Sequence, residues 1–208
     1  MKPLFITLEG TEGVGKTSNL AYIKQQLDAA KINYIVTREP GGTPLGEALR
    51  ALLLSNDYKG MSSDTELLLM FAARAEHVAQ IIKPALANGQ WVLCDRFTDA
   101  TFAYQGGGRQ LDMQRIASLE QWVLGDLRPD LTLLLNCPLE IGRARAGSRS
   151  TPDRFEQEKD AFFNRVREVY LARAKAEPAR IKVIDASVEL DKVQAQINDL
   201  LQKVLAQA

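Results

Sequence analysis

The chain has 208 residues, 46% hydrophobic and 25% charged, which suits a single core and excludes a disordered, collagen-like or low-complexity protein. Lysine plus arginine and aspartate plus glutamate each total 26, so the formal net charge is zero. No global field draws the chain to nucleic acid or an anionic membrane, and any anion it binds must be met by local clusters.

No run approaches the ~20 apolar residues that span a bilayer, and the start, MKPLFITLEG, lacks a cleavable leader pattern. A soluble cytoplasmic protein, binding neither nucleic acid nor membrane, is therefore expected. Cys94 and Cys137 lie in or beside apolar runs, and two thiols make neither a metal cluster nor a disulfide scaffold. Both read as reduced, buried spacers.

In chain order, an apolar run at 4–8 reads as a strand, followed by a glycine-rich turn and a helical pattern over 16–30. A second strand follows at 34–37. A long apolar stripe over 64–88, closed by Gly89, predicts a helix; a third strand follows at 91–94, and a helix over 112–124 stops at Gly125. Strands at 131–136 and 181–184 complete the set, and the small, polar stretch 146–152 reads as a moving loop. The strands are near-continuous apolar runs, as parallel strands covered on both faces are. The alternation of strand and helix predicts a doubly wound α/β domain with a five-stranded parallel sheet flanked by helices, whose ligands bind beyond the carboxyl ends of the strands.

The first of those ends carries Gly10, Thr11, Glu12, Gly13, Val14, Gly15, Lys16 and Thr17, a full match to the phosphate-loop pattern between a strand and a helix. The glycines let successive amides turn inward, the helix presents its positive end, Lys16 reaches the outer phosphates and Thr17 offers a hydroxyl to Mg²⁺. A nucleoside triphosphate, ATP, is the expected ligand. Glu12 is anomalous beside phosphates and needs a partner, either an arginine such as Arg38 or Arg96 or a hydroxyl of a second substrate.

The third strand ends in Asp95 and Arg96, an acid placed for Mg²⁺ and a planar fork suited to bridging two phosphates. Arg38 ends the second strand, ahead of Gly41 and Gly42. Two arginines at the crevice call for an oxyanion besides ATP. Arg50 reads as part of a solvated helix face. On the helical run 67–77, Met70, Arg74 and His77 share a face, with Phe71 one turn from Arg74. His77, the only histidine, reads as a surface or interface residue. Phe97, Thr101, Tyr104 and Gln105 share a face of a later helical stretch. Asp185, Ala186 and Ser187 follow the last strand, where they either flank the donor base or cap a helix.

Glu9 to Thr17, Arg38-Glu39-Pro40-Gly41-Gly42-Thr43, Asp95-Arg96-Phe97 and Ala103 to Arg109 together resemble bacterial thymidylate kinases, enzymes that phosphorylate dTMP with ATP. The likeness spans nearly the whole chain. It implies the P-loop nucleoside monophosphate kinase fold in one domain, 1–208, with a mobile lid at about 142–155, dTMP as acceptor, Mg²⁺, and a homodimer. It implies that Arg74 donates to a thymine carbonyl, that Thr101 lies near the pyrimidine edge, and that Tyr104 occupies the place of a ribose 2′-hydroxyl. Where the family carries an aromatic four residues before the arginine this chain has Met70, so either its thioether covers the base or Phe71 does. Arg143, Arg145, Arg149 and Arg154 crowd the lid, and Arg149 and Arg154 match the family's catalytic arginines best. A kinase for another nucleoside monophosphate, or a nucleotide-dependent switch, is the alternative reading.

Overall fold

A computed structural model describes residues 2–147 and 153–206. Strands β1 (Phe5–Glu9), β2 (Tyr34–Arg38), β3 (Trp91–Asp95), β4 (Leu131–Asn136) and β5 (Ile181–Asp185) form one parallel sheet in the order β2-β3-β1-β4-β5. Every residue of β1 is buried, whereas the edge strand β5 alternates. A strand paired on both sides and covered on both faces has no wet side, so alternation disappears from its sequence. β1, β2, β3 and β5 each reach one residue past the predicted run, to Glu9, Arg38, Asp95 and Asp185. The apolar signal stops where the strands meet the crevice, and polar groups occupy the last positions.

The helices are α1 (Lys16–Ala29), α2 (Pro44–Leu54), α3 (Ser63–His77), α4 (Lys83–Ala87), α5 (Thr98–Thr101), α6 (Met113–Leu124), α7 (Leu139–Ala146), α8 (Asp160–Ala176) and α9 (Leu190–Leu205). Local chemistry sets several starts. Thr43 caps α2 by accepting from the Gly46 amide at 2.9 Å, with Pro44 in the first turn where its missing N–H costs nothing. Ser62 and Asp112 cap α3 and α6 in the same way. The predicted helix over 64–88 runs from Ser63 to Ala87, but residues 78–82 between α3 and α4 are wound as a π segment. Pro84 supplies the reason: it has no N–H for the Gln80 carbonyl and its ring crowds that oxygen, so the turn widens.

A second π segment, 102–108, carries Tyr104 and Gln105 and ends in three glycines. There α8 approaches closely. A Cβ on Gly107 would stand 2.8 Å from the Arg165 carbonyl and one on Gly108 2.4 Å from the Phe162 ring. Arg165 seals the contact by donating to both glycine carbonyls, at 3.1 and 2.8 Å.

On one face of the sheet Ile23, Leu27, Ile197 and Leu201 of α1 and α9 cover Ile6, Leu8, Leu133 and Leu135. On the other, Val78 and Ile82 cover Phe5 and Val92, while Val166 and Tyr170 of α8 cover Leu134 and Ile181. Both cysteines are buried and free. Among the described residues no helix is long and apolar enough to cross a membrane. Leu133 is fully buried at the centre of the α1/α9 layer, so Leu133→Ala should cost about 3 kcal/mol through lost transfer energy and a residual cavity. Urea unfolding reads this as a lower midpoint at constant slope, and a loss below about 1 kcal/mol would contradict the packing described.

Candidate active site

The phosphate loop bends through Gly10, Gly13 and Gly15, all at positive φ. Gly13 is pressed against α7, where a Cβ would fall 1.9 Å from the Gly142 carbonyl. The loop delivers a helix start that has no side-chain cap and no acid in its first turn. Its amides are therefore left for an anion. Lys16 donates to the carbonyls of Gly10 and Thr11 at 3.2 and 3.0 Å. Burial, then the nearby Arg96 charge, brings its ammonium down to about 7. An ammonium held so close to neutrality, satisfied only by its own loop, is what a phosphate group would recharge. Val14 anchors the loop in the core, and Thr17 opens onto the cavity.

That cavity, of about 570 Å³, continues from the loop to the ends of β2 and β3 and the inner faces of α3 and α5. Asp95 lines it with one carboxylate oxygen, Oδ1, buried and unpartnered. Arg96 follows in the left-handed region at φ 67. Its Nη2 donates to the Gly10 carbonyl at 3.3 Å and to the Tyr104 hydroxyl at 3.1 Å, while its Nε has no partner. One guanidinium thus spans from the phosphate loop to the far wall. The turn around it is tied from beneath: Glu9 accepts from the Phe97 amide and the Tyr170 hydroxyl, each at 2.7 Å. Burial, and next the Asp99 charge, pushes the Glu9 carboxyl up to about 8.

At the far wall Arg74 is buried with its Nε on Glu39 at 2.7 Å and its Nη2 on the Phe97 carbonyl at 3.2 Å. Its Nη1 has no partner. Met70, one turn earlier, lines the cavity with Thr101, Tyr104 and Gln105. A stacked, oriented guanidinium with one spare N–H beside a thioether and an amide suits a planar heterocycle with a carbonyl at its edge.

A family model described as thymidylate kinase matches residues 8–197. The chain is 60% identical over 205 residues to the thymidylate kinase of Pseudomonas syringae pv. tomato, covering 99% of this chain and 98% of that one. It is 58% identical, with the same coverage, to that of Pseudomonas putida F1. The crystal structure of thymidylate kinase from Ehrlichia chaffeensis superposes with a TM-score of 0.78 at 35% identity, covering 97% of this chain and 99% of that one. The chain belongs to the thymidylate kinase family.

Within this family member, several residues stand elsewhere than the sequence suggests. Phe71 is not at the cavity: its ring lies in a core cluster with Leu67, Phe102 and Ile116, 4.9 Å under the Arg74 guanidinium, so Met70 alone of the pair lines the cavity. Arg38 is turned onto Glu47 at 2.9 Å and half exposed. Arg50, read as solvated, instead lines the cavity and donates to the Pro40 carbonyl at 2.9 Å. Burial and the charges of Arg38 and Arg96 lower its pKa, the sign of positive charge gathered without an anion. His77 is fully buried between Thr37 at 2.6 Å and Glu39 at 2.9 Å.

The lid arginines also separate. Arg154 is buried and does not line the cavity: it pairs with Glu66 at 2.5 Å and donates from Nε to the Leu53 carbonyl at 3.0 Å, its Nη2 left unpartnered. A guanidinium buried on a carboxylate stays there because separating the pair strands a charge. The residue expected to be catalytic thus stands behind the cavity wall. Arg149 lies outside the described residues. Arg145, placed by the sequence only among the lid arginines, reaches the carbonyls of Ala186, Ser187 and Val188 and lines the cavity beside Val188, Leu190 and Val193. Asp185 neither flanks the cavity nor caps α9; it closes a turn on Ser187.

Glu12 finds carboxylates rather than an arginine. Burial, then hydrogen bonding to Glu156 and the charges of Glu156 and Asp153, raises its carboxyl to about 6. An acid raised on folding destabilises progressively as pH climbs from its ordinary value to the folded one, and the penalty is complete above it. Glu12→Gln should therefore melt higher than wild type near pH ~7.5, with the difference gone near pH ~4.5. Thermal scans at both pH values check this; a variant that melts lower at the higher pH would refute the repulsion.

Proposed function

We propose that the protein transfers the γ-phosphoryl group of ATP to the 5′-phosphate of dTMP, giving dTDP and ADP. An oxygen of the acceptor phosphate forms the new bond to the γ-phosphorus as the bond to the bridging oxygen of ADP breaks. The nucleophile is already anionic, so the protein has to position two phosphates and offset their charge rather than abstract a proton. What chiefly supports this reading is the reach of Arg96, bonded to the phosphate loop through Gly10 and to the far wall through Tyr104 in one cavity. A switch without an acceptor would leave that span, and the spare N–H of Arg74, without purpose.

Residues 10–17 and the amino end of α1 take the donor phosphates, with Lys16 leaving its loop carbonyls for them. Arg145 with Val188, Leu190 and Val193 forms the wall for the donor base. The acceptor phosphate meets Arg96 and Arg50, with Arg38 behind Glu47. The base lies between Met70 and the Thr101, Tyr104 and Gln105 face, with its carbonyl on Arg74. Tyr104, bonded to Arg96, fills the space a ribose 2′-hydroxyl would need.

Mg²⁺ fits the orphaned Asp95 Oδ1 and the Thr17 hydroxyl, an oxygen set that a hard cation prefers. When bound it would neutralise developing charge on the phosphoryl oxygens.

A single domain with a lid at about 142–155 belongs to the same reading, with Arg149 as its cation for the transferring group. So does a homodimer, supported by Leu68 of α3 and Trp122 of α6, 57% and 82% exposed. A cytoplasmic setting without nucleic acid agrees with the zero net charge.

Lys16→Ala should cut turnover roughly a hundredfold or more while the thermal midpoint stays near wild type. Coupled ADP release over dTMP, dUMP, dCMP, UMP and AMP should be strongest with dTMP, and stronger release with another acceptor would replace it as substrate. Arg149→Ala should lower kcat more than it raises the dTMP KM; a pure KM effect would remove Arg149 from the transition state.

A further inference from the structure

Glu66 lies on α3, two turns before Arg74, and is fully buried. It accepts from Gln105 Nε2 at 2.8 Å, from Arg109 Nε at 3.2 Å to each of its oxygens, and from Arg154 Nη1 at 2.5 Å. It contacts no substrate in the reading above. A carboxylate held by two guanidiniums offers only lone pairs, so the group of Gln105 that faces it must be the N–H₂. The amide oxygen points the other way. Gln105 is itself 1% exposed yet lines the cavity, and its oxygen accepts no hydrogen bond among those of the described residues.

Two helical faces therefore confront each other across the base pocket. On one, Met70 and Arg74 stand four residues apart, and Arg74 contributes an unpartnered N–H. On the other, Thr101 and Gln105 stand four residues apart, and Gln105 contributes a locked acceptor. A pyrimidine that carries a carbonyl beside a ring N–H satisfies both. One that carries an amino group beside an unprotonated ring nitrogen sets donor against donor and acceptor against acceptor.

We infer that Glu66 is a positioning residue for base identity: it fixes Gln105 with its oxygen toward the pocket, so that Gln105 and Arg74 select the imide edge of thymine or uracil over the amino edge of cytosine. The inference rests on the proposed use of this pocket for the acceptor base. Arg109 and Arg154 act behind it by keeping Glu66 an acceptor. If the Gln105 amide turned over, its oxygen would face the carboxylate and its nitrogen the imide N–H, leaving two buried groups unmatched.

The test compares kcat/KM for dTMP, dUMP and dCMP in wild type and in Glu66→Gln, whose amide can receive Gln105 either way round. The dTMP to dCMP ratio should fall roughly tenfold or more, the worth of one mismatched buried hydrogen bond. The dTMP to dUMP ratio should not move, because the two share the edge being read. Equal losses on all three acceptors would overturn the inference, since a merely structural Glu66 would affect them alike. Gln105→Leu should lower the dTMP to dCMP ratio by itself, and adding Glu66→Gln should then change it little; additive effects would also overturn the inference.

If Glu66→Gln does not fold, the wild-type protein still decides. The side-chain NH₂ protons of Gln105, assigned against Gln105→Leu, should exchange slowly with solvent in the free protein, held on Glu66. Rapid exchange would show the nitrogen free of the carboxylate and refute the assignment. Wild-type turnover of dTMP is the control. Its absence would sink the proposed reaction and this inference with it, whereas turnover with unchanged discrimination in the variant would sink the inference alone.

Discussion

Positive charge enters this cavity only where a buried acceptor holds it from behind. Glu39 grips Arg74, and the Gly10 carbonyl and Tyr104 hydroxyl hold Arg96, while behind the wall Glu66 grips Arg109 and Arg154. The arrangement follows from the cost of burying an ion: an unpaired guanidinium would be expelled, and one paired on every N–H would have nothing left for a ligand. The compromise leaves single nitrogens over, Nη1 of Arg74 and Nε of Arg96. Those leftovers, rather than the charges as such, have the direction that recognition needs.

The phosphate loop works on the complementary shortage. It supplies many donors from the backbone and one ammonium, but its only acid, Glu12, is surrounded by Glu156 and Asp153. The crevice is therefore electrostatically uneven in the free protein. The charges of Arg38 and Arg96 depress Arg50 at one side, while Glu156 and Asp153 raise Glu12 close to the loop. Bound anions on one side and a cation on the other would bring the opposite charges, so ligands would relax repulsion that folding alone leaves in place.

The two halves communicate through very little chain. Phe97 receives Glu9 on its amide and Arg74 on its carbonyl, so a single residue after β3 links the strand beneath the loop to the base pocket. The π segment beside it is packed against α8 through glycines that admit no Cβ. Both the positive φ of Arg96 and the winding of residues 102–108 depart from regular geometry where the site is built, and the packed surroundings sustain them.

Sequence by itself determined the layers and the chemistry of the strand ends. Five apolar runs, a loop pattern between strand and helix, and Asp95 with Arg96 after a buried strand are local signals, set by neighbours a few positions away. It did not determine which polar groups would be spent on one another. Arg154 and Arg149 look alike in an arginine-rich stretch, and only the approach of Glu66, 88 residues from Arg154, makes the former a structural pair. Met70 and Phe71 are adjacent, and helix rotation against Phe102 and Ile116 decides which faces the cavity. Arg50 looked solvated because the Pro40 carbonyl that holds it comes from a loop whose path only the folded chain reveals. Pairing in a buried site is a long-range property, fixed when strands and helices from distant parts of the sequence exclude water between them, and no local spacing encodes it.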